Sequence, residues 1–239
     1  MKIFKILFFF ILFFTSITSK ASAVSTTPVS YINTIYAVML CGAGSTSSAC
    51  ANPVVLGTEA SGSSFDLSSI SAGASAGSIG NLNSVGTGQT FSYMQVILSR
   101  DFTMEATGSD GTRTCYTAAN GSGGTAANGA TPAIGSTNSA QYAAQVVTIP
   151  DSASLPSNMH GTSNIDGTTS GDAAAGASGT NDYVAFIITL TEPYTKKQGK
   201  MPQVQIAFSL TGAADFDDAG GATCLVTPSS PSVTVTFID

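Results

Sequence analysis

"QVQIAFSL", Gln203 to Leu210, decides the fold. Val204, Ile206, Phe208 and Leu210 fall on one side; Gln203, Gln205, Ala207 and Ser209 fall on the other. A period of two is that of a strand with one buried face, because successive side chains of an extended chain point to opposite sides. "DYVAFIITL", Asp182 to Leu190, repeats the pattern, with Val184, Phe186, Ile188 and Leu190 inward. Between them "TEPYTKKQGKMP", Thr191 to Pro202, reads as a hairpin loop with lysines at its tip.

Working outward, "FTMEAT" places Phe102, Met104 and Ala106 on an inward face. "TFSYMQVILS", Thr90 to Ser99, is apolar on both faces after Tyr93 and reads as a central strand; "VSYINTIYAVML", Val29 to Leu40, is also apolar on both faces. "FDLSSI", "QVVTI" and "VTVTFI" complete the set, and no stretch has a convincing helical period; "SAQYAAQVV" comes nearest. The expected fold is all-β, an immunoglobulin-like or related β-sandwich of about 7–10 strands separated by Gly/Ser/Asn turns. Two nearly uncharged runs, 117–140 and 157–182, read as long Gly/Ser/Thr-rich surface loops.

The first residues bear on the compartment. Lys2 and Lys5 precede the apolar run "ILFFFILFF", and "ASA", Ala21 to Ala23, has the small residues of a cleavage site. Residues 1–23 therefore read as a secretory signal peptide, too short in its apolar core for a spanning helix of roughly 20 residues. Residues 24–239 are expected to form one β-sandwich domain, exported to the extracellular space, the cell surface or the periplasm, with no membrane span after cleavage. Loss of Lys2, Lys5 and Lys20 would leave five of eight basic residues against all fourteen acidic ones. That balance argues against a nucleic-acid partner, which needs a basic stripe. Charged residues are only 9% of the chain, against about 25% in ordinary globular domains. The apolar alternation argues for a packed core rather than disorder.

Four cysteines, Cys41, Cys50, Cys115 and Cys224, occur in this chain. Zinc sites use closely spaced pairs and redox sites use Cys-x-x-Cys; neither spacing is present. Disulfides remain. Cys41 ends a strand and Cys50 follows eight small residues later, so these two are expected to pair, leaving Cys115 to pair with Cys224.

Little else suggests chemistry. His160 is the one histidine and reads as an exposed loop residue; "GASAGS", Gly73 to Ser78, only approaches a nucleophile elbow. Asn120 opens a three-residue match to a glycosylation sequon. Asp215, Asp217 and Asp218 in "ADFDDAGG" are the best acidic cluster, a weak candidate for Ca²⁺ against an ordinary polar turn, since the later ligand that closes an EF-hand loop is missing. No enzyme activity and no cofactor are expected.

The composition, rich in Ala, Thr, Gly, Ser and Val and poor in charge, resembles that of the major subunits of bacterial chaperone–usher pili. "SVTVTFID" at the C-terminus is similar to their alternating last strand, and "VSTTPVSYINTIYAVML", Val24 to Leu40, to their donor segment. The chain departs from that family in Ile238 at the penultimate position, where the family has Tyr, and in having four cysteines. "TIYAVMLC", "PVVLG", "FDLSSI" and "GTGQTFSYMQVILS" also occur in an order that resembles secreted bacterial β-sandwich proteins. These resemblances imply an exported structural domain and no activity.

The expected function is thus a non-enzymatic structural protein that assembles with copies of itself into a filament or surface structure. The strand at about 30–41, with Tyr31, Ile32, Ile35, Tyr36, Val38, Met39 and Leu40 spread over two apolar faces, is expected to complete a neighbour's sheet by strand addition. Ile32, Tyr36, Val38 and Leu40 fall on one face by simple alternation; Tyr31, Ile35, Ala37 and Met39 fall on the other. The competing expectation is a monomeric binding module for glycan, peptide or calcium, with surface glycans or other cells as partners.

Overall fold

The computed structural model describes residues 24–69, 82–109, 111–119, 121, 133–149, 155–162, 164–165, 183–200, 203–218 and 221–238. The signal-peptide reading, Asn120 and the "GASAGS" stretch lie outside them. The described residues form fifteen strands: β1 (Val24–Thr26), β2 (Ser30–Cys41), β3 (Val54–Asp66), β4 (Thr90–Ser99), β5 (Asp101–Glu105), β6 (Thr107–Ser109), β7 (Thr114–Tyr116), β8 (Ala133–Ser136), β9 (Gln145–Thr148), β10 (Met159–Thr162), β11 (Tyr183–Thr195), β12 (Gln203–Ser209), β13 (Ala214–Asp218), β14 (Thr223–Pro228) and β15 (Ser232–Ile238). Three short 3₁₀ turns are the only helical elements among these residues. The fold is all-β and antiparallel, arranged as a sandwich. The strand number exceeds the expected 7–10 because long apolar runs are broken by bends, as between β4 and β5, and because several strands have only three to five residues.

One layer is a seven-stranded sheet in the order β10-β11-β4-β2-β5-β9, with β3 on the other edge of β2. Against it lie a six-stranded sheet, β1-β13-β14-β8-β7-β6, and a two-stranded sheet, β12-β15. β2 and β4 are central strands, as their two apolar faces require.

Several expectations are corrected. The first part of the run read as a hairpin loop, residues 191–195, is strand instead. β11 continues through Pro193 to Thr195, pairs with β4 beyond a wide bulge between Thr189 and Tyr194, and never pairs with β12. The partner of β12 is β15, with Ile206 opposite Val235. Tyr194 is drawn into the core, where its ring stacks on Phe237 at 4.0 Å between centroids. β11 is also buried on both faces: Ala185 and Ile187 join Ala37, Met39 and Ile97 in a cluster behind the sheet. The two low-complexity runs are not wholly loop, for they contain β8 and β10. "FDLSSI" ends β3 and then turns through a 3₁₀ segment, Leu67–Ser69; "SAQYAAQVV" yields only the 3₁₀ turn Ser139–Gln141 before β9.

The faces of β2 also differ from simple alternation. Ile35 lies opposite Leu98 and Ala37 opposite Ile97, so two residues of β2 advance against one of β4. This bulge at Tyr36 reverses the alternation. Tyr31, Asn33 and Ile35 before it share a face with Val38 beyond it, while Tyr36, Ala37 and Met39 belong to the cluster behind. Gly62 makes room for the bulge on the β3 side: its φ is 72°, and a Cβ there would come within 2.9 Å of the Tyr36 ring.

Candidate functional site: an apolar cavity between two bends

Two bends face each other across the sandwich. In the seven-stranded sheet, β4 and β5 form one line opposite β2, interrupted between the pairs Ile35–Leu98 and Ile32–Thr103. Asn33 fills the interruption. Its side-chain Nδ2 donates to the Ser99 carbonyl at 3.1 Å and to the Asp101 carbonyl at 3.3 Å. Arg100, buried at the bend, fixes the next strand: its guanidinium donates to the Ile149 carbonyl at 2.8 Å, and the Ile149 N–H donates to the Arg100 carbonyl at 2.8 Å.

In the opposing layer, β12 and β13 form one arm and β14 and β15 the other. Their pairing stops at Ser209–Ser232 and resumes at Ala214–Pro228. Pro228 and Pro231 flank the break, where a missing N–H is tolerated. Gly212 supplies the positive φ of 72° that the turn in the other arm needs. At the break a hydrogen bond spans the layers, from the Tyr31 hydroxyl to the Ser229 carbonyl at 3.2 Å.

Where both layers bend, side chains do not meet, and a cavity of about 310 Å³ remains. Tyr31, Asn33, Leu98 and Phe102 wall it from one bend; Pro228, Ser229, Ser230 and Pro231 wall it from the other. Ile188, Ile206, Phe208 and Val233 close it between the two main cores. None of the described lining residues is charged. Asn33 is only 4% exposed, and its Oδ1 accepts no hydrogen bond from any described residue. Burial pushes the Tyr31 phenol well above its ordinary value, so it stays neutral and a donor. Beside it, burial works against the charged form of Asp66. Hydrogen bonds from the Ser68 hydroxyl, the Tyr31 and Ser68 N–H groups and the Ser30 hydroxyl outweigh that and hold the carboxyl below its usual range.

The residues singled out from sequence do not converge on this cavity as a set. Tyr31, Ile35 and Val38 line it, whereas Tyr36 and Met39 lie behind the sheet and Leu40 in the second core. The expected assembly strand is held within its own sheet, paired with β3 on one edge and with β4 and β5 on the other. Within this one chain its two apolar faces are those of a central strand covered by its own layers. Cys41 is joined to Cys50 and Cys115 to Cys224, the expected pairs. Glycine at 135, opposite Cys224, suits the second bridge: a Cβ there would sit 2.3 Å from the Tyr116 carbonyl oxygen.

"ADFDDAGG" is not a polar turn but largely strand, β13. The Asp215 carboxylate accepts hydrogen bonds from the Ser25 and Ser229 hydroxyls. No three His, Cys, Asp or Glu side chains among the described residues lie close enough to hold a metal ion. His160 is on β10 opposite Ala185, half-buried rather than in an exposed loop. Sequence reading missed Asn33 and the second bend. The available signals were one amide inside the apolar run "YINTIYAVML" and the "PSSP" that interrupts the last two strands.

No helix among the described residues is long and apolar enough to cross a membrane. Comparison with known proteins finds no matching family model, no matching curated protein and no matching solved structure.

Proposed function

We propose that the chain is a non-enzymatic, exported structural protein whose copies associate edge to edge through the β12-β15 layer. The observation that carries this reading is the imbalance of the two covering layers. Six strands cover one core, but only β12 and β15 cover the other, and both edges of that pair are open among the described residues. Val204, Ile206, Val233 and Phe237 pack on that core while staying half-buried. An open edge presents unpaired N–H and C=O groups to another chain, and charged side chains are a common block to such pairing. β15, "SVTVTFI", carries no charge, and Ile238 at its end is 47% exposed. The two disulfides and the signal-like N-terminus support an oxidising, extracytoplasmic setting. Partners are then further copies of this chain, joined by strand addition at β12 or β15 rather than by release of β2.

Size-exclusion chromatography with light scattering, and negative-stain microscopy, test this on the exported protein. Particles that grow with concentration are expected, and Thr234→Lys with Thr236→Lys should return them to monomer. A native protein that stays monomeric at high concentration, or a double-lysine variant that assembles unchanged, contradicts the proposal.

A further inference from the structure

We infer that the cavity between the two bends binds an uncharged aromatic molecule of one or two fused rings, held by contact with phenylalanine rings and by no hydrogen bond. Such a molecule binds whether or not copies of the chain assemble.

The wall carries the selection. Four of the seven phenylalanines after residue 23 line this one cavity: Phe65, Phe102, Phe186 and Phe208. Phe102 packs against the Tyr31 ring, with 5.2 Å between centroids and a tilt of 60°. Phe65, Phe186 and Phe208 are half-buried, and none of the three meets another aromatic ring among the described residues. They come from β3, β11 and β12, so rings line the chamber from both layers. An aromatic ring has a negative face and a positive edge. A second ring seated offset or edge-to-face therefore gains more than its buried area alone gives, and a saturated body of the same size does not. The Met159 sulfur, also in the wall, favours a ring edge in the same way.

Polar groups of the wall are engaged with the protein itself. The Tyr31 hydroxyl donates to the Ser229 carbonyl, the Ser229 hydroxyl donates to Asp215, and the Ser230 hydroxyl lies 2.9 Å from the Met159 sulfur. The Asn33 amide hydrogens are committed to the Ser99 and Asp101 carbonyls, and its Oδ1 is buried out of reach. Thr227 is the remaining polar side chain of the described lining. No described lining side chain is charged, so a carboxylate or ammonium would lose its water without gaining a counter-charge. Size agrees. Ligand pockets begin at about 300 Å³, and this cavity measures about 310 Å³. A dry cavity of about 150 Å³ holds benzene, so two fused rings fit. The half-buried lining residues Ile206, Phe208 and Val233 belong to the two-stranded roof, which is marginal enough to yield on entry.

Headspace gas chromatography over solutions of the disulfide-bonded protein tests this with naphthalene and decalin, which share a carbon skeleton and differ in aromaticity. Thermal melting follows both and adds 2-naphthoate, which carries a charge. Each hydrocarbon's affinity is compared with its transfer from water to hexadecane, which subtracts plain hydrophobicity. On that scale naphthalene should bind one-to-one and about fivefold tighter than decalin. It should raise the melting temperature, and 2-naphthoate should not. Phe208→Leu should shrink the advantage of naphthalene, and Ile206→Phe, which fills the chamber, should weaken both hydrocarbons; either variant decides the matter if the other fails to fold. No binding of naphthalene, no advantage over decalin, a melting shift from 2-naphthoate equal to that from naphthalene, or binding that neither variant changes would overturn the inference.

Discussion

The two halves of the sandwich share β2 and β4/β5 yet are built to different standards. Over the first half, Met104, Val147, Phe216 and Val226 interlock between the seven- and six-stranded sheets, each almost wholly buried. The Cys115–Cys224 bridge ties β7 to β14 within that covering layer. Over the second half, Val38, Leu40, Met94 and Ile188 supply a buried floor, but the roof is two strands whose apolar residues remain half-exposed, Val235 excepted. A two-stranded sheet is marginal by itself and gains its stability from the layer beneath it. One half closes its core with its own chain, and the other leaves, among the described residues, open edges and a cavity at the seam.

If the first half is the rigid one, breaking its bridge should do the most damage. Cys115→Ala with Cys224→Ala opens a closure of 109 residues and should cost about 5 kcal/mol on the loop-entropy account. Opening Cys41–Cys50, a closure of 9, should cost about 3 kcal/mol. Denaturant unfolding of both double variants gives the ranking; equal losses would mean that chain entropy does not set it.

Core truncations sharpen the contrast one step down. Met104→Ala, fully buried in the first half, should lose about 3 kcal/mol, and Ile206→Ala, half-buried in the second, about 1 kcal/mol. A larger loss at Ile206 would show that the two-stranded roof is packed as tightly as the six-stranded one. Thr234→Lys with Thr236→Lys should leave the unfolding free energy of the monomer within about 0.5 kcal/mol, as expected for exposed positions.

The smallest effect concerns Asp66, where β3 meets the shared strand: its Oδ1 accepts the Tyr31 N–H at 3.2 Å. Its carboxyl is held below the usual range in the folded state, so its contribution is present above the unfolded value of about 3.9 and fades as pH falls through the folded value. Asp66→Asn should therefore lower the melting temperature slightly at neutral pH, and the difference from wild type should vanish in acid. A gap that widens on acidification would give the shift the opposite sign.

Sequence periodicity resolved what depends on local pattern. Thr90–Ser99 is β4 as read, Phe102, Met104 and Ala106 do point inward, and the pairing of the cysteines followed from their number and strand-end placement. Pairing across long separations was not legible. Alternation in Gln203–Leu210 marks a strand but cannot choose β15 over β11 as its partner. β8, "AIGS", and β10, "MHGT", are made of small and mixed residues with no alternation to reveal them. The bulge at Tyr36 was equally silent, because every residue from Ile35 to Met39 is apolar and either face assignment fits. The cavity was illegible for a further reason: its walls come from two bends about 200 residues apart in sequence, and each looks ordinary alone.

Hydrogen exchange followed at low and high protein concentration tests association through β12 and β15, because it reads each strand separately. Amides of β12 and β15 should become protected as concentration rises, while those of β2, β4 and the six-stranded sheet should not change. Protection that is independent of concentration, or that rises in β1, β3 or β6 and not in β12 and β15, would contradict it.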